Sequence, residues 1–291
     1  MIKSPLRYPG GKSKLIEYIK RLIISEGLTG CDFYEVYAGG ASVSINLLAD
    51  RVVKRIIINE KDPLVYSFWY SVFFKTKELC DLIYSTPITL EKWYEMSKYR
   101  NPNFIHDKSV VEMGFACLFL NRTNFSGILN ANMLGGTKQK SKYKIDCRFN
   151  KEKIIKLINE ISQMKENVEV YNLDAIDFMK AKVPKTYKGL SFVYLDPPYY
   201  KQGKKLYRYY YEDDEHIILS EYILKQPFNW LISYDKHDFI EKLYSKKNIA
   251  IRSIYFDYSV HTSKRNQEEI LISNLEIPPI EGIVEAKKIP G

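Results

Sequence analysis

Phe192-Val193-Tyr194-Leu195-Asp196-Pro197-Pro198-Tyr199 is the stretch on which the fold of this chain turns. Its first four residues are an apolar run, the pattern of a buried strand. The run ends on a carboxylate, two prolines and an aromatic ring. Proline fixes φ and has no N–H, so the backbone there is stiff and its carbonyls can meet a ligand amine. Asp196 adds a charged acceptor and Tyr199 a stacking face. The set suits a flat, amino-bearing ring. Taken alone, it also describes a strand-terminating loop that carries a tyrosine.

Outward from this strand, further strands are predicted at Asp32 to Tyr37, Arg55 to Ile58, Val168 to Tyr171, Asn229 to Tyr234, Ala250 to Phe256 and Glu269 to Ser273. Helices are predicted from Lys12 to Ser25, where Leu15, Ile16, Ile19, Leu22 and Ile23 share a face, then after Ser42 through Leu48, and at Glu152 to Ile161, Ile176 to Met179, Asp213 to Leu224 and Asp238 to Tyr244. Strands alternating with helices imply an α/β fold with a doubly wound, mostly parallel sheet. Residues 63–165 interrupt the alternation. They are helix-rich to residue 121, with Trp69, Trp93 and Phe115 to Leu120 as core candidates. Asn121 to Phe149 is then dense in Asn, Gly, Thr, Ser, Lys and Arg. Irregular stretches of that length are functional or disordered. The expected division is one domain from 1–62 with 166–291, and an inserted domain at 63–165.

The 291 residues are 45% hydrophobic, ample for a core, yet no stretch reaches the roughly 18 apolar residues of a membrane span. Met1 to Pro5 lacks the apolar region of a signal peptide. Cys31, Cys80, Cys117 and Cys147 are scattered and form no CxxC pair, so they read as small buried hydrophobes in a reducing cytosol. The four histidines are equally scattered, and no metal site is expected. The net charge of +9 and the 24 tyrosines suit a nucleic-acid partner, through counterion release and base stacking. A lysine-rich coding bias produces the same composition.

Ligands of doubly wound sheets sit outside the carboxyl ends of the strands. Three motifs belong there: Glu35-Val36-Tyr37-Ala38-Gly39-Gly40-Ala41 after the first strand, Glu60 after the second, and Asp196. Glycines let backbone approach a ligand, and Glu60 can accept bonds from ribose hydroxyls. A dinucleotide site has the same two features. Gly11-Lys12-Ser13 imitates the end of a phosphate-binding loop, but that motif needs a glycine at position 6, where Leu6 stands, and ATP binding is rejected.

In this order, "LRYPGGK", "FYEVYAGGASVSINLL", "IINEKDP" and "LDPPYY" resemble the Dam-like, D12-class DNA adenine-N6 methyltransferases of the α group. "FLNRTNFSGI" resembles the start of that family's target-recognition domain. The resemblance implies S-adenosylmethionine as cofactor and duplex DNA as partner. It places Tyr8 and Lys12 beside the cofactor, Lys12 near its carboxylate. It places Glu35, Gly39 and Gly40 under the methionine part, Glu60 on the ribose, and Asp174 with Phe178 around the adenine. Departures are Val36 where the family often has proline, Ala41 where its second glycine falls, and Glu60 in place of aspartate.

The implied chemistry is direct transfer to N6 of a flipped adenine. The N6 lone pair is delocalised, so Asp196 and the Pro197 carbonyl would accept its hydrogens, while Pro198 and Tyr199 complete the motif. Flipping costs a few kcal/mol, and stacking on Tyr199 returns about 1–3 kcal/mol. No Pro-Cys nucleophile of cytosine-C5 chemistry is present. Cytosine N4, RNA, or DNA binding without catalysis are the alternative readings. DNA contacts are expected from Asn121, Arg122, Asn124, Ser126, Asn130, Asn132, Lys138 and Lys140, although Asn124 and Ser126 equally suit a turn. The basic, tyrosine-rich run Tyr200 to Tyr211 either closes over the base or packs on the sheet. Lys264-Arg265-Asn266 suits a phosphate contact or a surface hairpin. A cognate restriction endonuclease, and a monomer or weak dimer in the cytoplasm, complete the expectation.

Overall fold

The structure is a computed structural model that describes residues 1–8, 12, 15–185, 191–258 and 265–278, with backbone alone at 255–258 and 265–267. Its strands are β1 (Asp32–Glu35), β2 (Arg55–Asn59), β3 (Val168–Tyr171), β4 (Ser191–Leu195), β5 (Asn229–Asp235), β6 (Ala250–Tyr258) and β7 (Arg265–Ser273). They form one sheet in the order β3-β2-β1-β4-β5-β7-β6. β1 to β5 are parallel, and β7 runs antiparallel between β5 and β6. The apolar run of the opening motif is β4, next to β1 at the sheet's centre and buried at every residue. An unbroken apolar strand is what a sheet covered on both faces requires.

The helices are α1 (Ile16–Ser25), α2 (Ser42–Ala49), α3 (Pro63–Phe74), α4 (Thr76–Ser85), α5 (Leu90–Ser97), α6 (Pro102–Ile105), α7 (Val110–Thr123), α8 (Lys151–Ser162), α9 (Ala175–Lys182), α10 (Gly203–Leu206), α11 (Asp213–Ile223) and α12 (Asp238–Tyr244). Strand side chains alternate between two cores. Phe33, Ile56, Phe192, Tyr194, Leu231 and Leu271 belong to one, with apolar residues of α1, α2, α3, α7 and α8. Tyr34, Ile57, Val193, Trp230, Ile232 and Ile270 belong to the other, with α9, α11 and α12. Each fully buried apolar side chain contributes about 1.5–3 kcal/mol.

From residues 63–165, Leu64, Phe68, Trp69, Phe119 and Ile158 join the same buried cluster as Phe33 and Phe192. α3 starts sharply because the Asp62 carboxylate accepts from the Leu64 N–H and Pro63 occupies the first helical position. α7 approaches α3 closely at Gly114, where a Cβ would lie 2.6 Å from the Ser67 carbonyl oxygen. The predicted irregular stretch begins late, since α7 continues through Thr123. Leu129, Met133, Leu134, Ile145 and Phe149 then bury their side chains and staple the loop to the helices. α1 begins at Ile16 and not at Lys12, so Lys12 stands ahead of the helix. No described helix is long and apolar enough to cross a membrane.

Candidate active site

Parallel register brings three acidic residues to one edge of the sheet. Glu35 pairs with Ile58 on one side and Tyr194 on the other, while Glu60 and Asp196 directly follow β2 and β4. This is where the strand order reverses, the place such sheets bind ligands.

Beyond β1 the chain turns through Gly39 at φ 45°, and a Cβ there would lie 2.7 Å from the Tyr8 ring. Only glycine allows that approach. The Gly39 N–H donates to Glu60 Oε2 at 2.9 Å, and its carbonyl accepts from Trp69 Nε1 at 2.8 Å. Glu60 Oε1 also accepts from the Asp62 N–H at 3.0 Å. Glu35 accepts from the Ser44 hydroxyl and, at 3.3 Å, from the Ser44 N–H. Burial pushes the Glu35 carboxyl up to about 8 and that of Glu60 to about 7, although these donors favour the charged forms.

Asp196 sits in a second, tighter constellation. Its Oδ1 accepts from Ser233 Oγ at 2.8 Å and lies 3.2 Å from Lys12 Nζ. Lys12 Nζ also donates to Glu269 Oε2 at 2.8 Å and to the Tyr199 hydroxyl at 3.0 Å. The Tyr199 hydroxyl donates in turn to Glu269 Oε1 at 3.0 Å. Burial pushes Asp196 up to about 6, with Lys12 opposing the rise and Glu269 adding to it. Burial also disfavours the Lys12 ammonium, but Asp196, Tyr199 and Glu269 outweigh that and hold its pKa well above the usual lysine range.

A cleft of about 680 Å³ opens over these groups, lined by Tyr8, Lys12, Glu35, the 37–43 turn, Glu60, Lys61, Asp196 and Pro198. Tyr207, Tyr209 and Tyr211 form its outer wall, so the tyrosine-rich run covers the cleft. Arg208 fastens it through a buried ion pair with Asp62 at 3.1 Å and a bond to the Arg100 carbonyl at 3.1 Å. A second, more open groove of about 1130 Å³ is bordered by Tyr199, Gln202, Asp235, His237 and Glu269. Asp196 and Pro198 face one cavity and Tyr199 the other.

The structure thus brings Tyr8, Lys12, Glu35, Gly39, Gly40, Glu60 and Asp196 to one cleft. Others it places elsewhere. Phe178 is fully buried against Tyr34 and Tyr171 in the second core, on the stripe Ala175, Phe178, Met179, and is not among the residues that line the cleft. Asp174 caps α9 and pairs with Lys61 at 3.0 Å at the cleft's rim. Asn121 and Asn124, expected to touch DNA, are buried. Asn121 bonds the Arg7 backbone and the Gly127 carbonyl, and Asn124 accepts from Trp93 Nε1 and donates to the Ile128 and Leu129 carbonyls. Arg122 donates to the Pro5 carbonyl. Ser126, Asn130, Asn132, Lys138 and Lys140 are exposed. Pro9, Gly10, Gly11 and Lys264 lie outside the described residues, as do the side chains of Arg265 and Asn266. Tyr199 is buried, and Tyr207 meets its ring edge-on at 6.2 Å.

Glu269, Ser233 and Asp235 are not singled out as site residues by any local pattern, and Arg208 is marked only as part of the basic run Tyr200 to Tyr211. Asp235 accepts from the Tyr200 and Lys201 N–H groups and pins the chain beyond the tetrapeptide. Glu269 leaves one local trace, an acid opening the apolar run Ile270-Leu271-Ile272.

A model of the D12 class N6 adenine-specific DNA methyltransferases matches residues 8–257. The chain belongs to that family. It is 23% identical over 302 residues to modification methylase StsI of Streptococcus sanguinis, an alignment covering 94% of this chain and 43% of that protein. It is 24% identical over 249 residues to the type II methyltransferase M.CviBI of Paramecium bursaria Chlorella virus NC1A, covering 84% of this chain and 86% of that one. The chain therefore spans under half the length of the first relative and most of the second.

In the glycine turn of this D12-class methyltransferase, Ala41 holds φ 48°, ψ 27°. A side chain in that region costs about 1–2 kcal/mol.

Proposed function

We propose that this protein transfers a methyl group to N6 of an adenine flipped out of duplex DNA, with S-adenosylmethionine as the donor. The observation that carries the reading is that Asp196-Pro197-Pro198-Tyr199 contributes to the lining of two cavities, one through Asp196 and Pro198 and the other through Tyr199, as suits a two-substrate transfer. The first cavity fits the donor. Glu35 and Glu60 are carboxyls whose charge burial has left costly, and they face a space suited to ribose hydroxyls and a cation. Gly39 and Gly40 let that ligand lie against backbone, Tyr8 supplies an aromatic wall, and Tyr207, Tyr209 and Tyr211 exclude water. When bound, S-adenosylmethionine supplies an electrophilic methyl group on sulfur.

The adenine comes in beside Tyr199. Asp196 and the Pro197 carbonyl accept the two N6 hydrogens, which turns the lone pair out of conjugation. As the N–C bond forms, the methyl group's bond to sulfur would break and leave a neutral thioether, so the positive charge passes to N6. A preorganised carboxylate in a water-poor site stabilises it. The nitrogen then sheds one hydrogen as a proton along its bond to Asp196. Tyr199 backs the base once Tyr207 gives way. The exposed Ser126, Asn130, Asn132, Lys138 and Lys140 face the duplex. The protein acts as a monomer or weak dimer in the cytoplasm, alongside a restriction endonuclease of the same specificity.

Expression of the wild type and Asp196→Ala in a methylation-free bacterium, followed by modification-sensitive sequencing, tests this. N6-methyladenine at one short motif is expected, with purified Asp196→Ala losing about 10²–10³-fold in kcat while cofactor affinity weakens far less. N4-methylcytosine, or undiminished turnover in the variant, overturns it.

A further inference from the structure

The strand β7 contributes one polar side chain to the catalytic constellation. Glu269 is 1% exposed and touches both Lys12 and Tyr199. It arrives from the antiparallel strand between β5 and β6, opposite Asp235. Lys12 has two carboxylates within reach, Glu269 at 2.8 Å and Asp196 at 3.2 Å. Its closer partner is Glu269.

We propose that Glu269 is a positioning residue for methyl transfer: it draws the Lys12 ammonium away from Asp196 and leaves that carboxylate as the acceptor for the substrate amine. The inference rests on the reading of Asp196 given above. A buried lysine alone beside Asp196 would form a neutral one-to-one pair, and a neutralised carboxylate is a poor partner for a nitrogen gaining positive charge. With Glu269 present, the Lys12 ammonium is shared by two carboxylates, so Asp196 keeps more of its own negative charge. That charge lies where positive charge develops, and interactions of this kind strengthen in a low-dielectric site. Glu269 also accepts from the Tyr199 hydroxyl, so one side chain fixes both the ammonium and the ring behind the base. The charged or titratable groups acting on Asp196 and its partners are Lys12, Glu35, Tyr194, Tyr199, Tyr207 and Glu269. Among them Glu269 adds to the rise of Asp196 and Lys12 opposes it.

The test is the pH profile of single-turnover methylation of a duplex carrying the mapped site, for wild type, Glu269→Gln and Glu269→Asp. In the Gln variant kcat is expected to fall about 10–100-fold, with cofactor affinity near wild type. Its acid limb should move to lower pH, because the charge that raises Asp196 has gone. A purely structural role would leave that limb in place. Glu269→Asp keeps the charge and should keep the wild-type limb, with kcat above the Gln variant. An unmoved limb in the Gln variant, or a displaced one in the Asp variant, overturns the inference while wild-type methylation stands. A wild type that makes no N6-methyladenine overturns the underlying reading and this inference with it.

Discussion

The strand-end cleft and the loop that follows α7 are both crowded with polar side chains, and they use them in opposite ways. In the cleft, Glu35 and Glu60 are buried beside open space, with too few donors to keep their charge easy. In the loop, Asn121 and Asn124 are just as buried, but their amides bond to the protein itself. A strand end is held by the sheet, so its side chains can be left for a ligand. A loop without regular hydrogen bonds must satisfy its own backbone, and buried polar groups seldom go unpaired. The asparagines supply those partners.

Asn124 gives the sharpest way to break this contrast. Asn124→Ala leaves the Trp93 N–H and the Ile128 and Leu129 carbonyls without their amide, so stability should fall by about 2–3 kcal/mol. Chemical denaturation measures it. Ser126→Ala, two residues on and exposed, should change stability by less than about 0.5 kcal/mol. Equal stability of the two variants would return Asn124 to the DNA-facing set.

The contrast also marks what was legible in the sequence. The order of strands and the acids at their ends could be read, because period and terminal residues are local signals. β3 is where the pattern puts it, and Asp196 follows β4 as expected. Phe178 rests on resemblance alone: four residues past the α9 cap, with Ala175 and Met179, it lies on the helix's inward stripe. Glu269 was out of reach, since only the antiparallel insertion of β7 beside β5 brings it to Tyr199. The Arg208–Asp62 fastening joins residues far apart in the chain, and no local pattern announces it.

A second prediction sharpens the cleft's side. Glu60 and Glu35 have folded pKa values of about 7 and 8, raised from 4.5. The folded state holds these protons more tightly than the unfolded one. The stability they contribute is therefore full below about 4.5 and is lost as pH rises through 7 and then 8. A ligand that donates hydroxyl hydrogens to Glu60 needs that carboxylate charged. Its affinity should rise between pH 5.5 and 7.5 by roughly tenfold or more, with one proton released. Isothermal titration in buffers of different ionisation enthalpy reads both quantities. Glu60→Gln should flatten most of the rise, and a flat wild-type profile would mean that Glu60 does not face the ligand.

The smallest expected effect belongs to the loop's outer face. Lys138 and Lys140 are exposed, unlike Asn121 and Asn124, and no ion pair is recorded for either among the described residues. If this face meets the duplex, each lysine on a phosphate adds about 0.9 to the slope of log affinity against log salt. The double variant Lys138→Ala/Lys140→Ala should therefore bind more weakly at low salt, with a shallower slope by up to about 1.8. Its preference between the mapped site and a scrambled duplex should hold, because phosphate contacts position a protein without reading sequence. Its unfolding midpoint should also match the wild type, since no buried group is touched. A lost sequence preference would move these lysines from the backbone to base edges. An unchanged slope would turn the loop's lysine face away from DNA and leave Ser126, Asn130 and Asn132 as the residues that meet it.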